Sequence, residues 1–260
     1  VPALPRSVAL ALWLAAPPAG RASVRHGAAA VQQDDEPHVV RGLPGHPDPT
    51  DLETVLRTWA GRAREVVAML PVPGDLGVPP EVAALAADAG ECVLVLAGDD
   101  GWALVPEVVA FGSAGDLGHQ VTWRVRQLPS GRRSLVGTVG TLAESEHDLR
   151  SVLREAVTAL DDLDVARWRP EAADALARWR SDAGPGPLPD GLEPRAVRVL
   201  VEALRLRDVV ALATADDGGA VNLWQADQRS TALREVDRVS RRAVAAATLA
   251  AGRRQPSTER

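Results

Sequence analysis

The chain contains no lysine and no tyrosine, and only one cysteine, one methionine and one phenylalanine among its 260 residues. Without lysine there is no Walker-type phosphate loop, because the lysine of that loop reaches the β- and γ-phosphates, and nucleotide chemistry of that kind is excluded. A single cysteine, Cys92, can neither close an intramolecular disulfide nor build a cysteine zinc cluster. It sits in Glu91-Cys92-Val93-Leu94-Val95-Leu96 with no histidine or arginine beside it to lower its pKa, so a buried thiol acting as a small hydrophobe is expected. No uninterrupted apolar run approaches the ~20 residues of a membrane span. Positive charge is also short: 29 basic against 35 acidic residues leave a net charge of -6, which argues against a nucleic-acid partner held by its phosphates.

What is present is apolar bulk. Hydrophobic residues make up 46% of the sequence, enough to bury a sizeable core in one large domain or two ordinary ones. Arg6 and the apolar run over residues 8–16, followed by Pro17-Pro18-Ala19-Gly20, admit two readings, a short signal peptide or a first buried helix. The single arginine and the crowding prolines favour the helix, and with it a cytoplasmic location.

Further along, the periodicity alternates between strands and helices. His38-Val39-Val40-Arg41 predicts a short strand, and Asp51 offers an N-cap to Leu52, Val55, Leu56 and Trp59, which share a helical face. Residues 65–70 predict a strand, 80–89 a helix stopped by Gly90, and 92–97 another strand. Asp99-Asp100-Gly101 signals a hairpin returning through residues 102–105. Residues 121–126 alternate apolar with polar and predict a half-exposed strand at a sheet edge. From Glu144 the stripes become helical: Leu149, Val152 and Leu153, then a short helix from Pro170, then Val197, Leu200 and Leu204, and finally Leu233, Val236, Val239, Ala243 and Ala247. The expected fold class is α+β: a small mixed β-sheet domain with flanking helices over residues 1–135, a C-terminal α-helical bundle over 144–252, and a disordered tail over 253–260.

The most site-like stretch is Leu70-Pro71-Val72-Pro73-Gly74-Asp75. It follows a strand, where open α/β sheets place their ligand loops, and Asp75 could anchor a ligand; Pro-Gly-Asp is equally ordinary turn chemistry. A pocket at the strand-end loops would draw on Pro73, Gly74, Asp75, Glu107 and His119. Two histidines lie near carboxylates, His46 beside Asp48 and His119 beside Asp116. Neither pair has the third ligand a zinc site needs, so no metal or other cofactor is expected. Gly112-Ser113-Ala114-Gly115 lacks the order of a nucleophile elbow, and the paired acids Asp99-Asp100 and Asp161-Asp162 read as a turn and a solvated helix face. Trp123, Arg124, Arg126, Arg132 and Arg133 form the best basic patch, equally readable as charge protecting an edge strand.

The segments Leu4-Pro5-Arg6-Ser7-Val8, Pro37-His38-Val39-Val40-Arg41-Gly42-Leu43, Leu70-Pro71-Val72-Pro73-Gly74-Asp75, Leu104-Val105-Pro106-Glu107-Val108 and Asp164-Val165-Ala166-Arg167-Trp168-Arg169-Pro170 resemble an uncharacterised family of high-GC actinobacterial proteins. That resemblance spans nearly the whole chain. It implies a first segment retained as part of the fold, and it carries no activity or catalytic residue with it. With no convergent catalytic set, the sequence favours a non-catalytic adaptor or regulatory protein that meets a protein partner, or a second copy of itself, through its C-terminal helices. The alternative is a small-molecule-binding protein or enzyme using the strand-end pocket.

Overall fold

A computed structural model describes residues 4–16, 20–75, 77–113, 116–129, 134–162, 187–215 and 223–252. The expected helix from Pro170, the Gly184-Pro185-Gly186 connector, the Asp161-Asp162 side chains, Arg132-Arg133, the break at residues 216–219 and the tail from residue 253 lie outside what is described.

The helices are α1 (Arg6–Ala15), α2 (Arg21–Gln32), α3 (Leu52–Trp59), α4 (Ala83–Ala89), α5 (Val136–Val139), α6 (Leu142–Asp162), α7 (Pro194–Ala215) and α8 (Leu223–Ala251). The strands are β1 (Val39–Arg41), β2 (Thr50–Asp51), β3 (Glu65–Met69), β4 (Cys92–Ala97), β5 (Asp100–Ser113) and β6 (Asp116–Leu128). They form one mixed sheet in the order β2-β1-β6-β5-β4-β3, with β1 parallel to β6 and every other neighbour antiparallel.

Local chemistry accounts for the elements. α1 is apolar on every side and is buried from Ser7 to Leu14, wedged between the sheet and α2, α3 and α8. A helix without a polar face can exist only inside a core. α2 crosses it closely at Gly27, where a Cβ would lie 2.8 Å from the Trp13 ring, so the glycine that weakens α2 as a helix former is what lets it seat. α3 begins as expected: the Asp51 side chain accepts from Thr54 N–H at 2.7 Å, and Leu52, Val55, Leu56 and Trp59 are all buried. Gly90, with φ of 70°, closes α4 in the left-handed region. Cys92 is buried at the start of β4, all but one of whose residues are buried, as befits a strand covered on both faces.

The alternation of side chains sorts the core into two layers. Val66, Ala68, Val93, Val95, Leu104, Val121, Trp123 and Val125 face α1, α3 and α8, while Val67, Leu94, Leu96, Ala103 and Val105 face α4, α5 and part of α8.

Three expectations need correction. Residues 121–126 are not a sheet edge: β6 runs between β1 and β5, and Trp123 is wholly buried. The return strand of the hairpin extends far beyond residue 105, to Ser113. The helix expected from Pro80 begins at Ala83, because residues 79–82 form a turn closed by Val82 N–H to Pro79 O at 3.0 Å.

Over their described side chains the C-terminal helices turn most of their apolar stripes inward. Leu149, Val152, Val199, Leu200, Ala203, Val236, Val239, Ala243 and Ala247 are buried in the same core as α1 and the sheet. The end of α8 lies against β3, where Thr248 Oγ1 accepts from Ala68 N–H at 3.0 Å and satisfies a donor of that edge strand. Among the described residues no helix is long and apolar enough to cross a membrane.

Candidate functional site

The five residues singled out above fall into different surroundings. Val72-Pro73-Gly74-Asp75 is a tight turn: Asp75 N–H donates to Val72 O at 3.1 Å, Pro73 occupies the position its ring favours, and Gly74 supplies a φ of 93°. The Asp75 carboxylate accepts from Val72 N–H at 3.0 Å and from Arg241 of α8. Glu107 pairs across the sheet with Arg124 at 2.9 Å. His119 Nδ1 lies 3.4 Å from Asp35 Oδ1. Strand register separates the last two residues: Glu107 stands opposite Thr122 and His119 opposite Ala110, so Glu107 and His119 project from opposite faces of the sheet. The structure does not bring Asp75, Glu107 and His119 together.

It gathers a different set. Asp35, beyond the end of α2, receives Arg6 Nε at 2.5 Å, Arg6 Nη2 at 2.8 Å and His38 Nε2 at 3.1 Å. Trp123 Nε1–H donates to His38 Nδ1 at 3.1 Å, which leaves the imidazole proton on Nε2 pointing to Asp35. Burial pushes the His38 pKa down, and the hydrogen bond and charge of Asp35 only partly restore it, so the ring is held neutral. For Asp35, burial works to raise the pKa, but hydrogen bonds from Arg6 and His38 together with the charge of Arg6 outweigh it, and the net displacement is downward.

This arrangement ties α1, the segment after α2 and β6 together. Both nitrogens of His38 are engaged, the ring is enclosed, and the Arg6 guanidinium binds both oxygens of Asp35. Among the described residues no group of three or more histidine, cysteine, aspartate or glutamate side chains is placed to hold a metal ion.

From Arg6 the charges continue inward. Glu91, buried, accepts from Ser7 N–H at 2.8 Å at the start of α1. Its pKa is raised by burial, against the opposing hydrogen bond from Ser7 and the attraction of Arg6 and Arg207. Arg207 of α7 reaches Asp237 at 3.4 Å, and Asp237 accepts from Arg241 at 2.7 Å, which returns to Asp75. The charges thus form two clusters on either side of Glu91: Asp35 with Arg6, His38 and His119, and Asp237 with Arg207, Arg241 and Asp75. Bonded partners within them lie up to 166 residues apart in sequence, so adjacency could not have revealed them. The His119 and Asp116 neighbourhood read from sequence is broken by the same geometry, since His119 turns to Asp35; likewise His46 lies 2.9 Å from Thr58 Oγ1, and Asp48 faces Arg41.

Above this braced root the β5–β6 hairpin continues as an arm. Among the described residues β5 has no strand neighbour on its β4 side past Leu104, and residues 108–113 are all exposed. Of the five exposed large apolar side chains among the described residues, four lie here: Val108, Val109, Phe111 and Leu117. The Phe111 ring lies over Gly118, directly opposite, where a Cβ would come within 2.6 Å of it. Beside it Glu36, Pro37, Val109, Phe111 and Gln120 line an open depression of about 480 Å³.

Comparison with known families closes the question of kinship. The N-terminal domain of the Rv1486c-like protein family matches residues 7–136, and its C-terminal domain matches residues 143–245. The chain belongs to the Rv1486c-like family. The actinobacterial resemblance drawn from its short segments is upheld. No curated protein and no solved structure matches it. In this Rv1486c-like chain one charge cluster joins the two matched regions: Asp75 lies in the first, and Arg207, Asp237 and Arg241 in the second.

Proposed function

We propose that this Rv1486c-like chain is a cytoplasmic, non-catalytic interaction protein, an adaptor or regulatory subunit, whose contact surface is the β5–β6 arm. One observation carries the reading: the polar groups that chemistry would recruit are tied to one another, whereas the exposed apolar side chains gather on a projecting hairpin. Grouped exposed apolar residues mark interaction surfaces more reliably than scattered ones. In this reading the C-terminal half is a helical bundle that braces the sheet from behind. The contact role expected of its helices passes to the arm, because their apolar stripes are used internally.

The test compares wild type with Val109→Glu and Phe111→Ser, both at exposed arm positions, as baits in cross-linked cell extract of the source organism. A binding partner, self or foreign, retained by wild type and lost by both folded variants supports the reading. Equal recovery by all three contradicts it.

A second reading is favoured by the depression beside Phe111. Glu36 and Gln120 offer polar groups around an apolar floor, a setting for a small ligand. A thermal-shift screen against metabolites decides it: a stabilising compound whose effect disappears in Gln120→Ala supports it, and an effect unchanged in that variant places the site elsewhere.

A further inference from the structure

Among the described residues three unpaired strand edges can be compared, and two of them are managed. β2 ends the sheet with two residues, too short to template another strand, and β3 is covered by α8, with Thr248 satisfying Ala68. The third is the open side of β5 along the arm. Edges are ordinarily blunted by charge, proline or a bulge, yet Val108-Val109-Ala110-Phe111 contains no charge and no proline.

Which backbone groups this edge offers can be worked out. Glu36 N–H donates to His119 O at 3.0 Å, so the His119 backbone points away from β5. His119 pairs with Ala110, and an antiparallel pair that does not exchange bonds directs both residues outward. Ala110 therefore turns its N–H and C=O to the open side, and Val108 does the same by the two-residue period; Gly112, with a φ of 96°, leaves the extended region, so the regular edge ends at Phe111. Pro106, also in this set, has no N–H to offer, which explains how a proline sits within β5 without breaking the β6 ladder.

We propose that this edge pairs with the same edge of a second copy of the chain, antiparallel about a two-fold axis at Ala110, joining two sheets into one. This rests on the interaction reading above and names its partner. The register is dictated by self-complementarity. Ala110 faces Ala110 of the other copy, and Val108 faces Gly112. On the depression side Val109 faces Phe111 and Phe111 faces Val109, the aromatic and β-branched pairing that favours cross-strand contact. Glu107 stands opposite Ser113, so no like charges oppose one another along the edge. Any shift of register leaves outward donors unpaired or moves Phe111 off Val109. An isologous contact of this kind closes at two copies and does not propagate.

The experiment uses the full chain. Sedimentation over a wide concentration range is expected to carry the mass from 27.4 kDa toward twice that value. Ala110→Pro removes an outward donor while leaving the bonds to β6 in place, and is expected to weaken dimerisation at least tenfold. Because that variant could disturb the arm, a cysteine pair supplies a second readout. Ala110→Cys is expected to join two chains through a short thiol-to-thiol linker. Val108→Cys is not, since its equivalents would stand roughly 14 Å apart at ~3.4 Å per residue. The native Cys92 is buried and does not compete. A strict monomer at every concentration overturns the proposal, as does a dimer that persists in Ala110→Pro or links through position 108 instead of 110. If the chain is monomeric while the arm variants above still lose a foreign partner, the pairing fails and the interaction reading stands; if those variants lose nothing, both fail.

Discussion

Replacing Asp35 by asparagine keeps the shape of the brace and removes its charge. The carboxylate accepts two hydrogen bonds from Arg6 and one from His38, and its side chain is only 7% exposed. A hydrogen bond to a charged group contributes ~1.5–3 kcal/mol, and stranding one partner of a buried ion pair costs ~3–5 kcal/mol. Arg6 is not fully enclosed, with a side chain 22% exposed, and it keeps the attraction of Glu91, so the cost belongs near the lower end, about 2–3 kcal/mol. For a chain of this size that is a fall in Tm of roughly 5–10 °C. Urea unfolding at neutral pH, followed by tryptophan fluorescence and circular dichroism together, measures it. The pH dependence adds a second mark. Because the folded-state pKa of Asp35 is depressed, its contribution is complete above the ordinary carboxylate range and disappears as pH falls through the folded value. The difference between wild type and variant should therefore shrink in acid. A loss below ~0.5 kcal/mol at neutral pH, the size of an ordinary surface change, would refute the view that this cluster braces the root of the arm.

Two further outcomes are expected. His38 is held neutral in the fold, whereas the unfolded chain binds a proton near ~6.5, so its contribution is whole above that pH and is lost as pH falls toward the lowered folded value. His38→Gln can accept from Trp123 and donate to Asp35 without titrating, and should flatten the stability profile on the acid side of ~6.5, as read by thermal unfolding across a buffer series; an unchanged slope would exclude His38 as its source. Burial, reinforced by Glu91, pushes the Cys92 thiol up to about 12, so a thiol reagent should fail to label the native protein at neutral pH and should label it at the rate of global unfolding; rapid native labelling would contradict the packing of β4.

Much of the fold could be read from local pattern because local chemistry produces it. The Asp51 cap, the buried face of α3, the Gly90 stop, the β4–β5 hairpin and the inert Cys92 all follow from neighbours in sequence. The extent of β5 did not. Val108 and Val109 are consecutive apolar residues on opposite faces, so the two-residue period vanishes where both faces meet solvent, and Phe111-Gly112-Ser113 then looks like a loop. The charge cluster was hidden for another reason. Asp35 and His38 are three residues apart, but Arg6 and Trp123 stand far from them in the chain, and only the parallel pairing of β1 with β6 brings His38 beside Trp123. His38 could be suspected of a structural role from its place before a strand. Its partners could not be named without that pairing, and adjacency instead offered His119 the wrong carboxylate.

Residue-resolved amide exchange at two protein concentrations tests the open edge of the arm most directly. In dilute solution the Val108 and Ala110 amides should exchange freely while those of Val109 and Phe111, bonded to β6, are protected; at high concentration Val108 and Ala110 should become protected as well. Exchange at Val108 and Ala110 that does not respond to concentration, or that is slow already in the dilute monomer, would contradict it.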